Sequence, residues 1–279
     1  ETMIKLYGSS NGFGWQLAGG IFNNGSLTLD HVTVSNNMMA TNAGDFWQGG
    51  AGIYNGEGAN LVLVDSTVSN NTAGWSGGGI YSFFGTTTTI IRSTISSNVS
   101  NDVGGGLRLL GDAYIVNSTI SGNEATGWYG GALFLTDGTV EMVNSTVVDN
   151  ISPPWAPAAM FVGTFTDSSA SMNLVNSIVA QNVSEGCFLA PFGSGFVALN
   201  SIGNNVFSDA TCFPGATDQV VGAAAVGPLA DNGGPTLTHA LLSGSPAIDT
   251  ADSAVCPPTD QRGVARDAAC DVGAFEYVP

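Results

Sequence analysis

The chain has 279 residues, with five Lys plus Arg against 22 Asp plus Glu and a net charge of −17. So little positive charge excludes nucleic acid and anionic membrane surfaces as expected partners, because both are held by clustered Lys and Arg. No stretch reaches 18 consecutive apolar residues, so no transmembrane segment is expected.

Residues 1–18 read as a partial first coil. Glu1-Thr2-Met3-Ile4-Lys5-Leu6-Tyr7 alternates like a strand, and with no leader before it the chain is expected to be a mature or trimmed product. From residue 19 a repeat takes over. A Gly-apolar step recurs at Ile21, Ile53, Ile80, Leu107, Leu133 and Met160, at spacings of 26 to 32 residues. Each unit continues with a turn, an alternating run, Ser-Thr-(Ile/Val) and a closing Asn. A helical repeat would place apolar residues at i, i+3 and i+4. Here they stand two apart, as in Leu61/Leu63 and Val140/Met142, which is strand period.

Stacking the copies gives three apolar columns. The first is that of Ile21 to Met160. The second is Leu29, Leu63, Ile90, Ile115, Met142 and Leu174, and the third Val34, Val68, Ile95, Ile120, Val147 and Val179. Three such columns predict an all-β, three-sided parallel solenoid of about seven coils, in which each coil needs its neighbours to bury its apolar face. Two polar columns run beside them. Ser66, Ser93, Ser118, Ser145 and Ser177 share one position. Asn37, Asn71, Asn98, Asn123, Asn150 and Asn182 share another, followed more loosely by Asn205, and are expected to form an inward amide ladder at a bend.

With its Gly78-Gly79-Ile80, Gly105-Gly106-Leu107 and Gly130-Gly131-Ala132-Leu133 steps, residues 19–205 resemble the right-handed parallel β-helix repeats of secreted bacterial proteins. They are also similar to the short repeats of polymorphic outer-membrane proteins. The resemblance implies the fold and a right-handed coil. It does not imply a function, since lyases, adhesins and spacers share this fold.

All five Trp fall at one place in the repeat. Trp15, Trp47, Trp75, Trp128 and Trp155 precede the Gly-apolar step by five or six residues, with Asp102 in the gap. A row of indoles along a turn edge is expected to meet a glycan or another copy of the chain, or else to fold over its own loops. A second aromatic column is Phe22, Tyr54, Tyr81, Phe134 and Phe161, with Arg108 in its gap. Because it alternates with the inward column it is expected to face outward, with Arg108 placed for cation–π contact.

Regular coils span 19–185, with longer turns at 38–50 and 151–158. An irregular last coil spans 186–227, which closes the solenoid unit at 1–227. Four Cys fit two disulfides of an oxidising compartment, Cys187 with Cys212 as a brace on the last turn and Cys256 with Cys270 in the tail. Residues 228–279 carry no echo of the repeat and are expected to cap the open end of the solenoid. Asp260, Arg262, Arg266, Asp271 and Glu276 would there form a paired polar cluster. A Ca²⁺ site is the competing reading of these acids, but their spacing is not that of a calcium loop, so no cofactor and no metal ligand are assigned. The stretches Asp231-Asn232-Gly233-Gly234-Pro235-Thr236, Ser245-Pro246-Ala247-Ile248-Asp249, Asp260-Gln261-Arg262-Gly263 and Asp271-Val272-Gly273-Ala274-Phe275-Glu276 closely resemble the C-terminal region of secreted bacterial β-helix proteins described as choice-of-anchor Q proteins. In that family the region precedes a sorting or anchoring signal, which implies a bacterial cell-surface location.

The solenoid holds few cations. Arg92 stands one coil from Asp65 and is expected to pair with it. The other Asp residues are scattered over different repeat positions, so no catalytic residue is assigned. The expected function is that of a secreted structural or adhesive β-solenoid, with stacking end to end into a fibre as one version. The alternatives are a polysaccharide lyase or hydrolase and a glycan-binding module.

Overall fold

The computed structural model describes residues 2–4, of these the backbone alone, together with 18–39 and 49–278. Every regular element among them is a strand. The first face is built from Ile21–Asn23, Ile53–Asn55, Ile80–Ser82, Leu107–Leu110, Leu133–Val143, Met160–Thr164 and Cys187–Pro191, all parallel. The second contains Ser26–Asp30, Asn60–Val64, Thr87–Ile91, Asp112–Val116, Ala170–Val175 and Val197–Gly203, and Leu133–Val143 runs through both faces without a break. The third runs from Thr2–Ile4 through Val32–Ser35, Thr67–Ser69, Thr94–Ser96, Thr119–Ser121, Thr146–Val148, Ile178–Ala180 and Val206–Phe207 to Gln219–Val220. A short fourth run follows the Asn bend, at Met38–Met39, Thr72–Ala73, Val99–Ser100 and Glu124–Ala125.

The register makes the predicted columns real. Ile53 pairs with Ile80, Leu63 with Ile90 and Val68 with Ile95, and all lie in one continuous core at 0% exposure. That core runs without a break from Leu29 to Cys212, with Ile21, Leu27 and Val32 only partly buried in the first coil, and it is where burial at about 25 cal/mol per Å² accumulates. The Asn column is a ladder. The Oδ1 of Asn71, Asn98, Asn123, Asn150 and Asn182 each accepts the backbone N–H and the Nδ2–H of the previous Asn at 2.9–3.1 Å. Each of these five Nδ2 groups also donates to a carbonyl of the preceding coil, from Val34 to Val147. The Ser column works alike, each hydroxyl accepting the previous backbone N–H from Val32 to Ser145. Asn205 continues this Ser column, accepting from Ser177 N at 2.8 Å, and not the Asn column to which its sequence position assigned it.

The corners explain the remaining punctuation. His31, Asp65, Arg92, Asn117, Asn144, Asn176 and Asn204 form one corner column with φ between 44° and 56°. Short Asn and Asp tolerate this left-handed conformation best, because their side chains bond locally.

The tail does not cap the end of the solenoid. It leaves the last coil as the antiparallel pair Val226–Ala230 and Thr238–Leu241 and lies lengthwise on the third face. Thr236 Oγ1 reaches Arg92 O, and the Gln261 side chain lies among Thr94, Thr119 and Thr236 at 2.6–2.9 Å. Nearer the last coil, Ala274 N donates to Thr146 Oγ1 and Asn204 Nδ2 to Thr250 O. The physical reason stands in the third face's outward column. It reads Thr94, Thr119, Thr146 where polar strap groups meet it, then Ile178, Val206 where the strap brings Leu241, Ala247, Val272 and Phe275 into an apolar cluster. The segment is a lateral strap.

The strap is clamped from within. Arg262 bonds Asp260 and the Glu276 carbonyl and lies 3.5 Å over the Phe275 ring. Arg266 bonds Glu276 at 2.9 Å and reaches Asn117 in the solenoid at 3.0 Å. Both disulfides form as paired above, Cys187–Cys212 inside the main core and Cys256–Cys270 across the strap.

Candidate functional site

The aromatic column of the first face points away from the main core; its first ring, Phe22, is 45% exposed, but the other four are closed to solvent. Tyr54 is 6% exposed and Tyr81 4%, and Phe134 and Phe161 are fully buried. This corrects the expectation of an outward flank. Two things cover the rings. They stack on one another, with centroids 5.5 Å apart for Phe22–Tyr54, 5.2 Å for Tyr54–Tyr81 and 4.2 Å for Phe134–Phe161. The turn before each strand also folds back over them, which the glycines permit: a Cβ on Gly49 would lie 2.6 Å from the Tyr81 ring. Burial raises the pKa of both tyrosines, so neither phenol ionises near neutrality.

Arg108 fills the gap in this column as expected. Its guanidinium lies 4.7 Å from the Phe134 centroid and donates to Thr136 Oγ1 at 2.8 Å. Burial lowers its pKa, while Tyr81 and Asp102 favour the charge. Half-buried between Tyr81 and Phe134 in the column, it stiffens the stack.

Trp15 and Trp47 lie outside the described residues. Trp75, Asp102 and Trp128 do stand in register, since Asp102 N donates to Trp75 O and Trp128 N to Asp102 O. The row then breaks. The turn 151–158 carries Pro153, Pro154 and Pro157, and Trp155 leaves the register to bond Gly127 O through Nε1 at 3.1 Å. Trp128 finds different company, stacking on Phe165 at 6.1 Å and Phe192 at 6.4 Å, with Phe165 and Phe192 5.3 Å apart. These three rings lie within 26° of parallel and are 36%, 47% and 55% exposed. They form a ridge on the fifth to seventh coils. Phe165 and Phe192 sit in excursions outside the repeat, and their only local signal is that Phe192 follows Phe165 by 27 residues, one coil.

Charged groups also meet where the sequence showed only scatter. Asp30, His31 and Asp65 offer ligand atoms within 4.8 Å of one another, and Arg92 holds Asp65 with two hydrogen bonds at 2.7–2.8 Å. The Arg92–Asp65 pair was expected. The approach of Asp30 and His31 was not, because it depends on how the corner turns. A cavity of about 270 Å³ lies here, between His31, Thr33, Asp65, Thr67 and the strap residue Pro235.

The family described as "Right handed beta helix region" matches residues 19–226. The chain belongs to this family. No curated protein and no solved structure matches the chain. Within this right-handed β-helix the six ladder Asn residues come together as one inward column, and the four Cys as two bonds. Of the eight residues expected at a contact surface, the six that are described separate: Tyr54, Tyr81 and Arg108 stiffen the first face, Trp128 joins the ridge, Trp155 stands apart, and Trp75 is half-buried.

Proposed function

We propose that this β-solenoid is an extracellular structural and adhesive protein whose contact surface is the aromatic ridge of Trp128, Phe165 and Phe192. The observation that carries the reading is the exposure of three mutually stacked rings on a rigid scaffold, since contiguous exposed apolar surface on a soluble protein marks an interaction site. The scaffold suits the task. The ridge rings stack on one another and on the buried Phe134 and Phe161, so little side-chain freedom is lost on contact. Two disulfides are compatible with an oxidising compartment, and no described helix is long and apolar enough to cross a membrane. The likeness of the tail to the choice-of-anchor Q region supports attachment to a bacterial surface. The net charge of −17 favours uncharged surface glycan, or another copy of the chain at high ionic strength, over polyanions.

Adhesion of protein-coated beads to polysaccharide films tests this. Trp128→Ala with Phe192→Ala should cut retention several-fold while the unfolding midpoint stays within a few degrees. Unchanged retention would sink the reading. Light scattering decides whether the chain also associates with itself.

The cluster of Asp30, His31, Asp65 and Arg92 favours a second reading, a polysaccharide-active enzyme, because paired carboxylates beside a cation are the groups such chemistry uses. Against it, Arg92 is held by both oxygens of Asp65, which raises its pKa and removes it as a base. Release of reducing or unsaturated sugar that disappears in Asp65→Asn would establish the enzyme.

A further inference from the structure

The isolation of Trp155 from its row has a physical consequence. On the short fourth run, Val99, Glu124 and Ile151 occupy one position in successive coils. The turn 151–158 rises beside them and, with Val183 and Ser184, encloses a cleft of about 380 Å³. That volume is at the lower end of small-ligand sites, which run from about 300 to 1,000 Å³. Trp155 stands at the rim, 70% exposed, with its indole N–H donated to Gly127 O. The bond fixes the ring while leaving it open. Pro153, Pro154 and Pro157 extend the apolar wall and bring no N–H donors.

The polar inventory of the cleft is one-sided. The Ser152 hydroxyl donates to Ala158 O and that of Thr126 to Ser100 O. The indole N–H is engaged at Gly127. Among the described residues the Glu124 carboxylate accepts no hydrogen bond, and the buried Ser184 Oγ has no partner. The cleft therefore presents an aromatic ring, an apolar wall and a free acceptor, with no Lys, Arg or His in its lining.

We propose that this cleft binds a pyranose unit of an uncharged glycan, a site that rests on the adhesive reading above and gives it a second, more selective contact. A pyranose offers an apolar C–H face to an indole and hydroxyl donors to a carboxylate, which matches both halves of the inventory. A uronate or sulfated sugar would set its charge against Glu124 and against the chain's net −17. A polyproline peptide also fits aromatic grooves, but its backbone brings carbonyl acceptors that need N–H donors, and here the indole donor is already engaged.

The full disulfide-bonded chain is titrated by calorimetry with cellohexaose and chitohexaose as uncharged probes, with hexagalacturonate as the charged probe and with a decaproline peptide. At least one uncharged hexasaccharide should bind saturably and hexagalacturonate should not. Trp155→Ala should weaken binding about tenfold or more, as expected for loss of an aromatic anchor. Glu124→Gln should weaken it by a smaller factor. Trp155 is 70% exposed and its side chain makes one hydrogen bond to the described residues, so its variant should melt with the wild type, and Trp155→Phe should restore part of the affinity. Binding of no uncharged sugar, equal binding of hexagalacturonate, binding of decaproline alone, or full affinity in Trp155→Ala would each overturn the proposal. Bead adhesion separates the two readings. Retention lost with Trp128 and Phe192 but kept in a Trp155→Ala protein that binds no sugar more weakly than wild type leaves the ridge standing and removes the cleft.

Discussion

The coils and the strap are held by opposite kinds of contact. In the coils like meets like: Asn98 bonds Asn123, Ser93 bonds Ser118, Ile90 packs on Ile115. In the strap unlike meets unlike across more than a hundred residues, as with Gln261 on Thr94 or His239 on Ser121. The first kind repeats, so a defect in one coil is felt by both neighbours. The second combines single hydrogen bonds with one apolar cluster on the outward side of the third face, so its release is expected to leave the register beneath intact.

The sharpest way to break this contrast is to remove one rung. Asn123→Ala deletes the acceptor for the Asn98 backbone and side chain and the donor to Ile95 O, leaving buried groups unpaired. At about 1–3 kcal/mol for each orphaned group, denaturant unfolding should show a loss of about 3–5 kcal/mol. Hydrogen exchange should quicken in the third to fifth coils together. If only the mutated coil responds, the coils are not coupled as argued.

Opening Cys256–Cys270 by a double Ser substitution should cost about 3 kcal/mol, the value for a loop of this size. The loss should be confined to the strap. Exchange should rise over residues 226–278 and stay unchanged in the first-face strands. Spread of the effect into those strands would show that strap and coils unfold as one.

pH sharpens the comparison further. Burial pushes the Asp271 carboxyl up to about 6 from its ordinary 3.8, opposed by the amides of Tyr277 and Asp249 that it accepts and reinforced by Glu276 and Asp249. A raised carboxyl binds its proton more readily in the folded state. Its contribution to stability is therefore present at acid pH and falls as pH rises from about 4 to about 6. His239 has the opposite sense. It is buried between Gly227 O and Ser121 Oγ with a lowered pKa, so its contribution is lost as pH falls below about 6.5. The difference in melting midpoint between wild type and Asp271→Asn, in which the histidine cancels, should shrink from pH 4 to pH 6 and then level off. A difference constant over this range would remove Asp271 from the account.

The smallest effect is expected at the corner. Arg92→Gln breaks the pair with Asp65, but the arginine is partly solvated and surface pairs contribute about 0–1 kcal/mol. A midpoint shift of more than a few degrees would mean that the corner cluster holds the strap tip, through Thr236 on Arg92 O, more firmly than its geometry implies.

What the sequence by itself determined is the coil: its parallel faces, the register of its three apolar columns, the Asn ladder and the Ser column. These are legible because a solenoid repeats its environment, so each column shows the same choice several times over. The tertiary structure alone decided the rest. It buried Tyr54 and Tyr81 under returning turns, separated Trp155 from Trp128, brought Phe165 and Phe192 onto a common ridge, gathered Asp30 and His31 beside Asp65, and laid the tail along a flank instead of over an end. Each of these depends on the path of an irregular turn or on contact between segments with no shared period. A local pattern carries no information about where such segments land.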